Sequence, residues 1–110
     1  ETFFEEDADV LVLAYGSVAR SSLRAVNDAR VRGFKAGFFR PITLWPFPDK
    51  ELEKLARKIK TIVVPELNCG QMVLEVERAV RGRAKVVPLN LVNGELFKPE
   101  EILAVIEEVA

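Results

Sequence analysis

Ile62-Val63-Val64-Pro65-Glu66-Leu67-Asn68-Cys69-Gly70-Gln71-Met72 is the stretch that decides how this chain folds. Three β-branched residues run into a proline, a short polar turn with glycine follows, and then an amphipathic segment. The apolar run is too short for a helix and rich in β-formers, so it predicts a buried strand, Thr61 to Val64, that the proline ends. A strand that hands over to a helix in so few residues gathers polar groups at its carboxyl end. The unpaired N–H groups of the helix start point into the same space. Contact with another molecule is expected first at this turn.

On the amino side of that stretch, Asp49 is expected to cap a helix whose Leu52, Leu55, Ala56 and Ile59 recur at i, i+3, i+4 and i+7. Pro41-Ile42-Thr43-Leu44-Trp45-Pro46-Phe47-Pro48 precedes it and excludes helix, because three prolines remove donors and fix extended geometry. Phe34 to Arg40 predicts a strand with Phe34, Ala36 and Phe38 on one side and Gly37 and Phe39 on the other. Before it, Ser17 is placed to cap a helix that buries Ala19, Leu23 and Val26. Arg30 and Arg32 suit the negative end of that helix, and Gly33 sits where a left-handed C-cap belongs. Val10 to Tyr15 is continuously apolar, as a strand covered on both faces should be. The lead-in Thr2-Phe3-Phe4 predicts a short edge strand. The following acids, Glu5-Glu6-Asp7 and then Asp9, are expected to be solvated rather than to form a metal pocket.

On the carboxyl side, Val73, Val76 and Val80 mark the buried side of a helix ended by Arg81-Gly82. Ala84 to Leu91 predicts the last strand, and Pro88 within it favours an edge position. Asn93-Gly94 signals a turn, and Pro99 suits the first residue of a final helix. Glu100 and Glu101 complement that helix start, and Ile102, Ile106 and Val109 supply its buried face.

Strands alternating with helices of this length predict an α/β fold with a mainly parallel sheet covered on both faces. The compact arrangement places the Val10 strand centrally, with the Phe34 strand on one side and the Thr61 strand on the other. The crevice at the switch point then lies between Gly16-Ser17 and the Pro65–Gln71 turn.

Composition narrows the function. Seventeen acidic against sixteen basic residues leave a net charge of −1. There is no basic excess to hold nucleic acid and no polybasic stretch to hold a membrane surface. Histidine is absent, which removes the commonest neutral-pH acid/base and any Ser-His or Cys-His nucleophile within the chain. The single Cys69 rules out an internal disulfide and any multi-cysteine cluster. No segment has the apolar length of a bilayer span and no signal-peptide pattern is present, so a cytoplasmic setting is expected. The first residue is Glu1 rather than methionine, and 110 residues are expected to form one domain cut from something longer.

Topology gathers one polar cluster: Glu66, Asn68 and Gln71 with Gly16, Ser17 and Gly70. It reads either as a small anion or cofactor site at paired helix starts, or as capping by Asn68 with Glu66 contacting another domain. No G-x-G-x-x-G or G-x-x-x-x-G-K pattern supports nucleotide binding. Cys69, near a helix start, is either a reactive thiol or a packing residue. Ile42, Leu44, Trp45 and Phe47 are too many large apolar groups for a proline-braced loop to bury within itself. They either fold over the local core or dock against another domain.

Two of these segments carry a resemblance. Phe38-Phe39-Arg40-Pro41-Ile42-Thr43-Leu44-Trp45-Pro46-Phe47-Pro48 and Val64-Pro65-Glu66-Leu67-Asn68-Cys69-Gly70-Gln71-Met72, with Gly16-Ser17 after the first clear strand, resemble the α-subunit of 2-oxoacid:ferredoxin oxidoreductases. The matching part is the domain similar to the transketolase C-terminal domain, in the wording of the 2-oxoglutarate and related types. The resemblance implies a three-layer α/β/α fold with a mixed, mainly parallel five-stranded sheet. Its fifth, antiparallel strand would come from Thr2–Glu5.

The same resemblance implies a whole enzyme that oxidatively decarboxylates a 2-oxoacid on thiamine diphosphate with magnesium. The acyl group passes to coenzyme A, and electrons pass through iron–sulfur clusters to ferredoxin. The expected partners are the other domains of the α-subunit, the β-subunit and, for the whole enzyme, ferredoxin, with neither nucleic acid nor membrane. The thiamine-binding domains of the family lie outside these 110 residues. Glu66 therefore does not inherit the thiamine-activating role, and no catalytic, cofactor-binding or metal residue is expected here. Leu44, Trp45, Phe47, Glu66, Asn68 and Gln71 are expected at interfaces, with Gly16, Ser17 and Gly70 lining the crevice. The residues also fit a free-standing small-molecule binding module of doubly wound α/β type.

Overall fold

A computed structural model describes residues 2–3, 7–15, 17–40, 49–66, 71–90 and 99–109. At its centre is β2 (Val10–Leu13), whose Leu11, Val12 and Leu13 are fully buried. Its neighbours are β3 (Ala36–Phe39) and β4 (Thr61–Glu66), both parallel to it. β5 (Lys85–Asn90) continues the parallel sheet beyond β4, and β1 (Thr2–Phe3) closes the other edge antiparallel to β3. The order β1-β3-β2-β4-β5 is the mixed five-stranded arrangement expected, with the Val10 strand central and the Pro88 strand at an edge.

Period-2 alternation divides the core in two. Leu11, Leu13, Phe39, Ile62 and Val64 face α2 (Asp49–Ala56) and α3 (Gln71–Val80). Val10, Val12, Ala36, Phe38 and Val63 face α1 (Ser17–Val31) and α4 (Pro99–Val109). The result is three layers, and the helix stripes read from the sequence face the cores, with Leu23 and Val109 only half-buried. Leu52, Leu55, Ala56, Ile59, Val73, Val76 and Val80 lie in the first core, and Ala19, Val26, Ile102 and Ile106 in the second. On α1 the buried face is mostly small: Ala19, Ser22, Ala25 and Ala29 let the helix lie close to the sheet. The Ser22 hydroxyl is fully buried and has no partner among the described residues.

Several boundaries differ from expectation. β2 ends at Leu13 rather than Tyr15, β3 spans Ala36–Phe39 rather than Phe34 to Arg40, and β5 spans Lys85–Asn90. β4 runs two residues past Val64, through the proline, for a reason that bears on the site below. Ser17 and Asp49 are the first helical residues rather than the residues before them. Gly33 is left-handed at φ 90°, as the C-cap of α1 requires. Pro41–Pro48 and Asn93-Gly94 lie outside the described residues.

Two ion pairs tie the amino end of the sheet to its helices. Arg30 in the last turn of α1 donates to the Ala36 carbonyl at 2.7 Å and to the Asp7 carboxylate at 2.6 Å, joining the entry to β2 with the start of β3. Glu53 of α2 accepts from Arg83, just before β5, at 2.5 Å and from Arg57 at 3.4 Å. Hydrogen bonding from Arg30 lowers the Asp7 pKa, and hydrogen bonding from Arg83 lowers that of Glu53. The support each pair gives is therefore present at neutral pH and lost as pH falls through the carboxylate range. Asp7 is exposed and Glu53 half-buried at the surface, so these pairs are small terms beside the buried core.

The central strand carries the stability. Leu11→Ala removes a fully buried side chain between β2 and the α2–α3 layer and should cost about 2–5 kcal/mol. Val31→Ala, at a residue 87% exposed, should stay within about 0.5 kcal/mol of the parent. Urea unfolding midpoints at constant slope measure both.

Candidate functional site

At the carboxyl end of the sheet β2 and β4 lie side by side and the chain leaves them in opposite directions. β2 passes through α1, on one face, to β3; β4 passes through α3, on the other face, to β5. Ligands and partners of open α/β sheets meet the fold at such a reversal.

The hydrogen-bond ladder explains why a crevice opens there. Successive residues of a parallel strand turn their N–H and C=O groups to alternate neighbours. The Thr61 N–H donates to the Asp9 carbonyl at 3.4 Å, and the Lys85 N–H donates to the Lys60 carbonyl at 2.9 Å. Thr61, Val63 and Pro65 therefore turn towards β2, and Ile62, Val64 and Glu66 towards β5. In this register the next donor to the Leu13 carbonyl is the nitrogen of Pro65, which carries no hydrogen. The β2–β4 ladder accordingly stops at the Val12–Val63 pair. The β4–β5 ladder continues through Pro65–Leu89 to Glu66–Asn90. On its other side β2 stays attached, with the Ala14 N–H donating to the Phe39 carbonyl at 3.2 Å.

Pro65 thus does not end its strand, as the sequence suggested. It removes one rung on one side, so the β2–β4 ladder ends at Val12–Val63 while β4 and β5 remain paired to Glu66–Asn90. The signal was present in the sequence: a proline inside a central strand must point its nitrogen where no rung is made.

The described wall of the crevice is apolar. Leu13, Ala14 and Pro65 are buried, and Tyr15 is half-buried against the α2–α3 core. Ser17 opens α1 and Gln71 opens α3, so both helix starts lie at this end of the sheet, and Glu66 closes β4 in register with Asn90. The side chains of Ser17, Glu66 and Gln71 lie outside the described residues, as do Gly16, Leu44, Trp45, Phe47, Asn68, Cys69 and Gly70 entirely. Among the described residues no group of His, Cys, Asp or Glu is placed to hold a metal. The described wall residues also include no cation to meet a diphosphate and no carboxylate to hold its magnesium. The described wall is an apolar surface with the Leu13 carbonyl at its rim.

The sequence model of pyruvate:ferredoxin oxidoreductase core domain II matches residues 8–102. The chain belongs to this family. Among core-domain-II relatives, the 2-oxoglutarate synthase subunit KorA of Methanothermobacter marburgensis is 42% identical over 98 residues, covering 89% of this chain and 26% of that protein. The chain therefore spans about a quarter of the length of that relative. A solved 2-oxoglutarate:ferredoxin oxidoreductase from Magnetococcus marinus, with 2-oxoglutarate, coenzyme A and succinyl-CoA bound, superposes with a TM-score of 0.77 at 26% identity. It covers 93% of this chain and 18% of that chain. A split-gene transketolase in an inactive β4 tetramer superposes at 0.82 with 19% identity, over 98% of this chain and 40% of that one, which shows a shared fold. The family resemblance and the transketolase-like fold read from the two segments are both borne out.

Pro65→Ala supplies the missing N–H and should extend the β2–β4 ladder by one bond to the Leu13 carbonyl. The new amide at position 65 should exchange with deuterium as slowly as that of Val63. Exchange at the rate of an open amide shows that something other than the missing donor parts the strands.

Proposed function

We propose that residues 1–110 form a single positioning domain from a longer α-subunit of a thiamine-diphosphate-dependent 2-oxoacid:ferredoxin oxidoreductase. The whole enzyme, in this reading, oxidatively decarboxylates a 2-oxoacid of the 2-oxoglutarate type in the cytoplasm, transfers the acyl group to coenzyme A and reduces ferredoxin through iron–sulfur clusters. Thiamine diphosphate and its magnesium sit in other domains. This domain's carboxyl-end surface holds those domains and the β-subunit in register.

The observation that carries this reading is the match to core domain II over residues 8–102, in a chain about a quarter as long as its subunit relative. The relative's name as a 2-oxoglutarate synthase subunit and the 2-oxoglutarate, coenzyme A and succinyl-CoA in the Magnetococcus structure support the substrate class. The lack of any histidine in the chain fits a positional role. Such a role is consequential, because a misplacement of about 1 Å at a reacting centre costs on the order of a hundredfold in rate.

Trp45 and Phe47 are the proposed apolar anchors and the Glu66–Gln71 turn the polar contact. Trp45→Ala with Phe47→Ala in the complete enzyme should weaken subunit assembly, seen by sedimentation, while the separate 110-residue chain keeps its far-UV circular dichroism. Unchanged assembly and turnover contradict the reading. Stabilisation of the separate chain by a 2-oxoacid or coenzyme A in a thermal-shift measurement points instead to a free-standing binding module.

A further inference from the structure

The net charge of −1 conceals a strong segregation. Segments 53–60 and 77–85 carry eight basic residues against two acids, Glu53 and Glu77. The rest of the chain holds eight basic residues against fifteen acidic ones. The fold brings the two segments together at one corner, the amino end of the sheet beneath α2 and α3, opposite the crevice. Lys85 donates its N–H to the Lys60 carbonyl at 2.9 Å, and Arg83 reaches Glu53 at 2.5 Å.

Among the described residues three carboxylates reach this corner: Glu53, Glu77 at the edge of the adjoining depression, and Glu75, which accepts from Arg78 at 2.7 Å. Glu53 binds Arg83 and Arg57 and feels the charge of Arg81 as well. The exposed side chains of Lys58, Lys60, Arg81 and Lys85 have no ion-pair partner among the described residues. Offsetting of helix dipoles accounts for a cation such as Lys54 in the last turn of α2. It does not account for Lys60 and Lys85 at strand starts. α1 and α3 likewise carry Arg30 and Arg78 in their last turns, whereas α4 has no basic residue there and ends in Glu107-Glu108. Arg81 is also held at φ 51°, a left-handed conformation that disfavours a side chain.

We propose that this corner, centred on Lys58, Lys60, Arg81 and Lys85, is a docking surface for a carboxylate-rich protein partner. Beside it lies an open depression of about 280 Å³ lined by Glu77, Val80, Gly82, Ala84 and Val86. A seat with apolar groups next to a charged rim is the anatomy of a protein contact. The acidic remainder of the chain repels an extended polyanion beyond the corner, which disfavours nucleic acid and anionic membrane. Unscreened charge of this kind steers the encounter and fixes orientation.

The test uses the 110-residue chain and a fluorescein-labelled peptide of eight glutamates, followed by anisotropy. Binding should weaken by about tenfold or more between low and physiological salt. Lys60→Glu with Lys85→Glu should weaken it by at least about tenfold, and Lys58→Glu alone by a smaller factor. Arg20→Glu with Arg24→Glu, on exposed positions of α1, should leave it unchanged. Circular dichroism confirms that each variant is folded. Absence of binding, equal losses in the two double variants, or tighter binding to single-stranded DNA or to phosphatidylserine vesicles overturns the proposal.

Discussion

A hydrogen that proline does not carry sets where the central strand pairing ends at the carboxyl end of this sheet. The sheet is held by rungs on both sides of β4, and at Pro65 the rung towards β2 cannot form. Its other side stays paired to β5 through Glu66, so the strand keeps its direction while its central neighbour is released. Nothing has to be strained to produce this opening. β2 is still pinned to β3 beyond its end by the Ala14–Phe39 bond, and the two helices that follow β2 and β4 lie on opposite faces. The β2–β4 ladder thus ends between two halves that are each held on their outer side.

Most of the fold was legible in the sequence because local preference and global burial agree. The continuous apolar run at Val10 marks a strand covered on both faces, and Ile62-Val63-Val64 does the same for its neighbour. Leu52-Leu55-Ala56-Ile59 and Val73-Val76-Val80 place two helices on one face, and the side of each residue in Phe34–Phe39 follows from alternation alone. Strand ends were less legible. They depend on where a partner strand stops, which no local window contains, so Tyr15 and Arg40 fell outside their strands and Pro65 and Glu66 inside theirs. The candidate site was legible as a place, from the two turns that topology brings together. The part played by Pro65 needed the register, because only the register says which neighbour its nitrogen faces.

The two ends of the sheet have different chemistry. The carboxyl end presents an apolar crevice flanked by helix starts, and the amino end presents the cations of α2, α3 and the starts of β4 and β5. At the same amino end, on the α1–α4 side, cations are matched by acids: Asp7 pairs with Arg30 and Glu107 with Arg32.

The central claim is that the carboxyl-end surface of this core domain II is where its neighbours rest. Deuterium uptake of the isolated chain, compared peptide by peptide with the same residues inside the complete oxidoreductase, tests it most directly. Segments 41–48 and 64–72 should become markedly slower to exchange on assembly, whatever happens at the basic corner. Unchanged uptake in both segments would show that neighbours rest elsewhere and that the crevice serves some other end.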